Sequence, residues 1–257
     1  MSRVAVLVYG FACYTVGLVA LVYGVGFIGG FFTPTMLDGV PDRPLGQAVA
    51  IDLLLLVLFS LQHSGMARPV FKKWWTQYVP EAAERSTYVL ASSLITGALF
   101  CFWSPIGGII WQAPAGLART SLISLYLFGW ALLLYTTFLI DHFDLFGLKQ
   151  VWRFFRGETY RPPQFYTPGL YRVVRHPLYV GWLTLIWAAP TMTVSHLVFA
   201  VGTTLYILVA IRFEERDLGA AFGDRYAAYQ RRTPMLLPAL SRRSDSEPTP
   251  AHGPVRK

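Results

Sequence analysis

The chain has 257 residues, 54% of them hydrophobic and only 14% charged, and carries a formal net charge of +8. Several long runs without charge reach membrane-spanning length, which excludes a soluble globular domain and makes this an all-α polytopic membrane protein. The positive balance does not imply a nucleic-acid partner, because the basic residues gather at the ends of apolar runs.

Five apolar regions follow in chain order. The first, Val4–Phe32, is too long for a signal-peptide core and lacks a small-residue cleavage site, so it is expected to stay as a first span. Leu45–Gln62, Thr87–Trp103 and Ser121–Ile140 each match a hydrocarbon core of roughly 30 Å once tilt and interfacial ends are allowed for. The fifth, Leu178–Ile211, has 34 residues, or about 50 Å of helix, too long for one crossing. Pro190 and the following Thr-Met-Thr-Val-Ser-His196 supply a turn, so the region is expected to be a helical hairpin with arms 178–189 and 195–211. Cys13 and Cys101 lie inside apolar runs and read as packing thiols. No His/Cys group has zinc-ligand spacing, and no metal site is expected.

The charges test the hairpin. Lys and Arg number four in 63–86, six in 141–177 and nine in 212–257, against one in 33–44 and none in 105–118. All three basic segments share a side only if the last region enters and returns, and the positive-inside rule makes that side the cytosol, with the N-terminus there too. Most of the Arg residues read as orientation signals and as attraction to anionic membrane lipid. Residues 1–240 form a single integral-membrane domain, and 241–257, rich in Ser, Pro and charge, are expected to be a disordered cytosolic tail.

Two segments carry chemistry. In Arg172-Val-Val-Arg-His-Pro-Leu-Tyr-Val-Gly181, Pro177 holds His176 extended and starts a helix. The free N–H groups of that helix, with Arg172 and Arg175, make a seat for a carboxylate or phosphate. Tyr179 adds a hydroxyl, and Gly181 permits close backbone approach. The second segment is Phe213-Glu-Glu-Arg-Asp-Leu218, where Glu214 and Glu215 offer acceptors for ribose hydroxyls or an adenine amine. The first segment alone equally describes an ordinary interfacial helix start, and the second alone is better described as a solvated helix exit with local Glu–Arg pairing. The hairpin makes them neighbours. A short amphipathic helix follows over Phe222–Pro238, with Tyr226 and Tyr229 as a pocket cover or membrane-surface anchors.

The ordered set Arg-His-Pro-x-Tyr-x-Gly, apolar hairpin, Glu-Glu, Phe-Gly-x-x-Tyr-x-x-Tyr and Pro-x-x-x-Pro, over roughly 165–238, resembles the cofactor half of the isoprenylcysteine carboxyl methyltransferase superfamily. That resemblance implies S-adenosylmethionine as cofactor, held across 172–238, with His176 and Tyr179 touching it and Glu214 and Glu215 lining or bracing its nucleoside end. Leu61-Gln-His63-Ser-Gly-Met-Ala-Arg68 and Glu84-Arg85-Ser-Thr-Tyr88 resemble the NnrU-like proteins. With Asp141-His142-Phe-Asp144 added, the whole of 1–240 is similar to the bacterial methanethiol S-methyltransferases. The resemblance implies methylation of a small thiol to dimethyl sulfide in a bacterial inner membrane.

Such a reaction calls for a thiolate, which attacks better than a thiol. The candidate base is His142 or His63, with Arg85 as a thiolate-stabilising or structural partner. Asp141 and Asp144, three residues apart, share a face and are candidates for orienting an imidazole. Other readings remain open: a lipid, prenylcysteine or other thiol as acceptor, a haem held by His63 and His142, or a non-catalytic assembly factor.

Overall fold

A computed structural model describes residues 2–161 and 164–238, so the tail 241–257 lies outside the described residues. The elements in order are α1 (Arg3–Gly29), α2 (Leu45–Ala67), α3 (Pro69–Trp75), α4 (Glu81–Phe102), β1 (Ile109–Gln112), α5 (Leu117–Leu139), α6 (His142–Leu145) and α7 (Leu148–Arg156). A 3₁₀ turn at Gly169–Arg172 leads to α8 (Pro177–Trp187), β2 (Thr191–Thr193), α9 (Val194–Phe222) and α10 (Asp224–Arg232). Five helices, α1, α2, α4, α5 and α9, are long and apolar enough to cross a membrane. The protein is an all-α integral membrane bundle.

Local chemistry sets the boundaries. Ser2 caps α1 by accepting a hydrogen bond from the Ala5 amide at 3.2 Å. Pro69 forces Arg68 extended (φ −72°, ψ 141°), which ends α2 and opens α3 at an angle to it. The expected hairpin is present as α8 and α9. Its first arm has only 11 residues, about 16 Å, and so reaches partway into a bilayer. Its second arm does not stop near residue 211: α9 runs 29 residues, about 44 Å, and carries Glu214 and Glu215 inside the helix rather than beyond its exit. The amphipathic helix expected over 222–238 is confined to α10, and residues 233–238 are not helical.

The turn between α8 and α9 contains β2, which pairs antiparallel with β1 from the α4–α5 connection. Both strands are three or four residues long, too short for periodicity to distinguish them from helix ends. At this end Trp103 donates to the Ser195 hydroxyl at 2.9 Å, and that hydroxyl donates to the Leu37 carbonyl. Asp38 takes hydrogen bonds from Thr193 and lies 3.3 Å from His196 Nδ1, whose other nitrogen sits 2.8 Å from the Ile186 carbonyl. The end away from the basic loops is thus tied across four chain segments.

Small residues set the helix contacts. Gly10, Gly17 and Gly24 recur every seventh residue along α1, where a Cβ would meet Val151 at 2.5 Å, Val89 at 3.0 Å and Phe100 at 3.3 Å. Helices α4 and α7 therefore lie tight against α1. Gly129 of α5 and Gly181 of α8 face one another: a Cβ on the first would sit 2.7 Å from Leu185 N, and on the second 2.8 Å from Leu133 N. The close approach expected of Gly181 is made by another helix. Phe27, Leu185, Ile186 and Ala200 fill the centre, and Phe27 packs its ring 4.6 Å from Phe100. Cys13 is buried in α1, and Cys101 is exposed on α4.

Candidate active site

At the basic end, the start of α8 is held by the residues after α10. Arg175 and His176 donate their amides to the carbonyls of Pro234 and Met235 at 2.8 and 3.2 Å. This gives the Pro-x-x-x-Pro stretch a definite role as a backbone clamp. Pro177 occupies the first helical turn, and His176 precedes it with no side-chain cap on the helix.

The two glutamates divide. Glu215 is an anchor: its Oε1 accepts from Arg175 Nε at 2.6 Å and lies 3.0 Å from His176 Nε2, while its Oε2 accepts from Gln230 at 3.1 Å. Arg175 also donates to the carbonyls of Gln230 and Thr233. One ion pair thereby joins α8, α9 and α10. The Glu214 side chain is 44% exposed, and its Oε2 accepts from the Tyr179 hydroxyl at 3.1 Å. Its Oε1 has no partner among the described residues, which makes it a ready acceptor. The segments 172–179 and 212–216 are thus adjacent, but Arg172 stands apart. It is exposed, and its Nε donates to the Thr167 carbonyl instead of joining the cluster.

Aromatic side chains back this cluster. Phe165 packs against Phe222, Tyr226 and Tyr229 at 5.1–5.9 Å, and Tyr226 is fully buried. Burial pushes the Tyr229 phenol up to about 12, so it stays a donor, to the Tyr171 carbonyl at 2.6 Å. Burial, then the nearby Glu214 charge, raises Tyr171 as well.

A second cluster adjoins the first across α9. His63, near the end of α2, lies 3.2 Å by Nδ1 from the Ser92 hydroxyl and 2.9 Å by Nε2 from the Tyr88 hydroxyl. Phe59 stacks on its ring, and Tyr206 of α9 stands edge-on at 6.4 Å. Ser64 donates to the Tyr206 hydroxyl, and one turn on Arg68 pairs with Asp217 at 2.8 Å. Helix α9 serves both clusters: it carries Tyr206 beside His63 and, about two turns on, Glu214 beside Tyr179. Tyr206, and Tyr88 and Ser92 as site residues, are absent from the sequence-based candidates. Their signal is a hydroxyl at membrane depth in an otherwise apolar run, which interfacial anchoring also explains.

His142 belongs elsewhere. It is 3% exposed, stacked on Phe138, and lies 2.9 Å from the Tyr14 hydroxyl and 2.8 Å from the Thr137 hydroxyl. Asp141 and Asp144 do not orient it. Asp141 caps α6 by accepting from the Asp144 amide and pairs with Lys149, and Asp144 accepts from the Tyr160 hydroxyl at 2.8 Å. Their three-residue spacing is that of a helix cap. Arg85 bridges the regions: its Nε donates to the Leu145 carbonyl at 2.7 Å, and its guanidinium lies 5.0 Å from the Tyr88 ring centre.

Burial holds the His142 imidazole below its ordinary value, so it is neutral near pH 7. Below about pH 6.5 the unfolded chain takes up a proton there that the folded chain resists, so stability falls as pH drops through that window. His142→Gln is expected to flatten the dependence of the melting temperature on pH between about 7 and 5. An unchanged slope in detergent melting curves would refute this assignment.

No family model and no solved structure matches the chain. Curated relatives do. The chain is 50% identical over 244 residues to the methanethiol S-methyltransferase of Crocosphaera subtropica, covering 95% of this chain and 96% of that one. It is 48% identical over 238 residues to the methanethiol S-methyltransferase of Mycobacterium tuberculosis, covering 93% and 98%. A more distant likeness, 32% over 220 residues, covers 82% of this chain and 80% of Nurim of Rattus norvegicus. Identity of this order along nearly the whole length leaves the two clusters and the helices that build them inside the matched region, and the chain belongs to the methanethiol S-methyltransferase family.

Proposed function

We propose that this protein methylates methanethiol to dimethyl sulfide with S-adenosylmethionine as methyl donor, at the basic end of the bundle. The basic end would face the cytosol of a bacterial inner membrane, as the charge asymmetry of the loops suggests. The observation that carries the reading is that one helix, α9, presents the open carboxylate Glu214 beside Tyr179 and, about two turns earlier, Tyr206 beside the His63–Tyr88 pair.

The donor set suits this cofactor. Glu214 is acceptor-only when ionised and fits a ribose diol or an adenine amine, and Glu215, Arg175 and His176 hold the wall that presents it. When bound, S-adenosylmethionine supplies a methyl already activated by its sulfonium, so the protein's own task is to position and deprotonate the acceptor. Methanethiol is expected to be less acidic than cysteine, whose reference value is about 8.5, so a proton acceptor speeds the reaction near pH 7. His63 takes that role, its proton relayed through the Tyr88 hydroxyl. Arg85, beside the Tyr88 ring, favours the thiolate charge. Phe59 and Tyr206 keep water from the sulfur.

The test is direct. Purified full-length protein with S-adenosylmethionine and methanethiol should release dimethyl sulfide into the headspace, and omission of either reactant should abolish it. Turnover of a prenylated cysteine with none of methanethiol would overturn the substrate assignment.

A further inference from the structure

A cavity of about 580 Å³ opens at the basic end between α3, the first turns of α4, the α6–α7 corner and residues 158–160. Its walls include Lys72, Glu84, Arg85, Asp144, Glu158 and Tyr160, and none of the six residues expected to hold the cofactor. Two of its acids are already engaged: Asp144 accepts from Tyr160, and Glu158 pairs with Arg156 at 3.3 Å. Its two cations are not. Lys72 has no ion pair among the described residues although it is partly buried, and burial lowers its pKa. Arg85 spends only Nε on the protein, and its terminal nitrogens have no partner among the described residues. Two lining acids, Glu81 and Glu84, have no ion pair among the described residues, and of these Glu84 is partly buried while Glu81 is exposed.

Two unpaired cations beside a partly buried, unpaired carboxylate, with a second at the exposed rim, match a small group that carries both charges. The compact group with that pattern is an α-amino carboxylate. Arg85 is also the shared wall: its guanidinium stands over Tyr88, whose hydroxyl meets His63. A ligand whose amino-acid end fills the cavity can therefore extend toward the proposed reaction path. In S-adenosylmethionine only a short carbon chain separates that end from the sulfonium.

We propose that this cavity seats the α-amino-carboxylate end of the methyl donor, with Arg85 and Lys72 on the carboxylate and Glu84 on the ammonium. This inference rests on the functional reading above. Arg85 thus acts on the donor as well as beside the thiol, and Lys72 and Glu84 join the binding residues.

Calorimetric titration of the full-length protein in detergent with S-adenosylhomocysteine and with 5′-methylthioadenosine, which lacks the amino-acid end, tests it. Wild type should bind the first at least tenfold more tightly. Lys72→Met and Arg85→Met should each weaken S-adenosylhomocysteine 10- to 100-fold and leave methylthioadenosine unchanged, and Lys72, with no ion pair among the described residues, is the variant that spares the fold. Equal affinity of wild type for both ligands, or an unchanged ratio in Lys72→Met, would overturn the cavity assignment while leaving the donor reading intact. Failure of wild type to bind either ligand would sink both. A preference for free methionine over both nucleosides would make the cavity an independent amino-acid site and overturn the proposal.

Discussion

Glu215→Ala is expected to abolish donor binding and lower the melting temperature together, whereas Glu214→Gln should affect binding alone. Glu215 accepts from Arg175 and Gln230 and meets His176, and its side chain is 17% exposed. Removing one member of such a pair strands the others and costs about 3–5 kcal/mol. The loss reaches α8, α9 and α10 at once, because Arg175 also holds the carbonyls that end α10. Glu214, 44% exposed with one hydrogen bond from Tyr179, carries little of the fold. Its amide replacement should weaken S-adenosylhomocysteine about tenfold, the order of one charge-assisted hydrogen bond. Melting curves and titrations on both variants check the contrast. Equal melting temperatures for the two would show that these neighbouring acids are not divided in this way.

The second large effect belongs to His63. His63→Ala is expected to lower turnover about 10²- to 10⁴-fold near pH 7, the usual range for loss of a general base. The deficit should shrink as pH rises, because the thiol ionises unaided as the solution approaches its own pKa. Donor binding should stay near wild type. Tyr88→Phe should reproduce part of the loss while keeping the ring under Arg85. His142→Ala should keep its rate per folded molecule. Turnover measured from about pH 6.5 to 9.5 separates the cases, and a pH-independent deficit in His63→Ala would remove it as proton acceptor.

The hairpin was legible because its signals are physical lengths and charges. Thirty-four apolar residues cannot cross once, Pro190 offers a turn, and the basic tail demands a return. The meeting of 172–179 with 212–216 follows from that alone. The choice between His63 and His142 was not legible. Both are lone histidines near span ends, and only the tertiary neighbours separate one grouped with Tyr88, Ser92 and Tyr206 from one sealed between Phe138 and Tyr14. Asp141 and Asp144 misled for a related reason. Spacing reports a shared face, but a residue at positive φ just before a helix turns its carboxylate back onto the backbone. Arg172 has the sequence company of Arg175 without its direction. Tyr206 escaped because a tyrosine in an apolar run usually marks the lipid interface.

Helix α9 is one unbroken rod from a knot at His196 to the acids at 214 and 215, about 27 Å along its axis. Its far end is pinned by Asp38 and Ile186, so the rod cannot slide or spin to absorb a change in length. Adding or deleting a single residue between knot and acids would swivel both carboxylates by about 100° and carry them out of reach of Arg175 and Tyr179. The residue count of that greasy shaft is therefore as much a coordinate of the chemistry as any side chain.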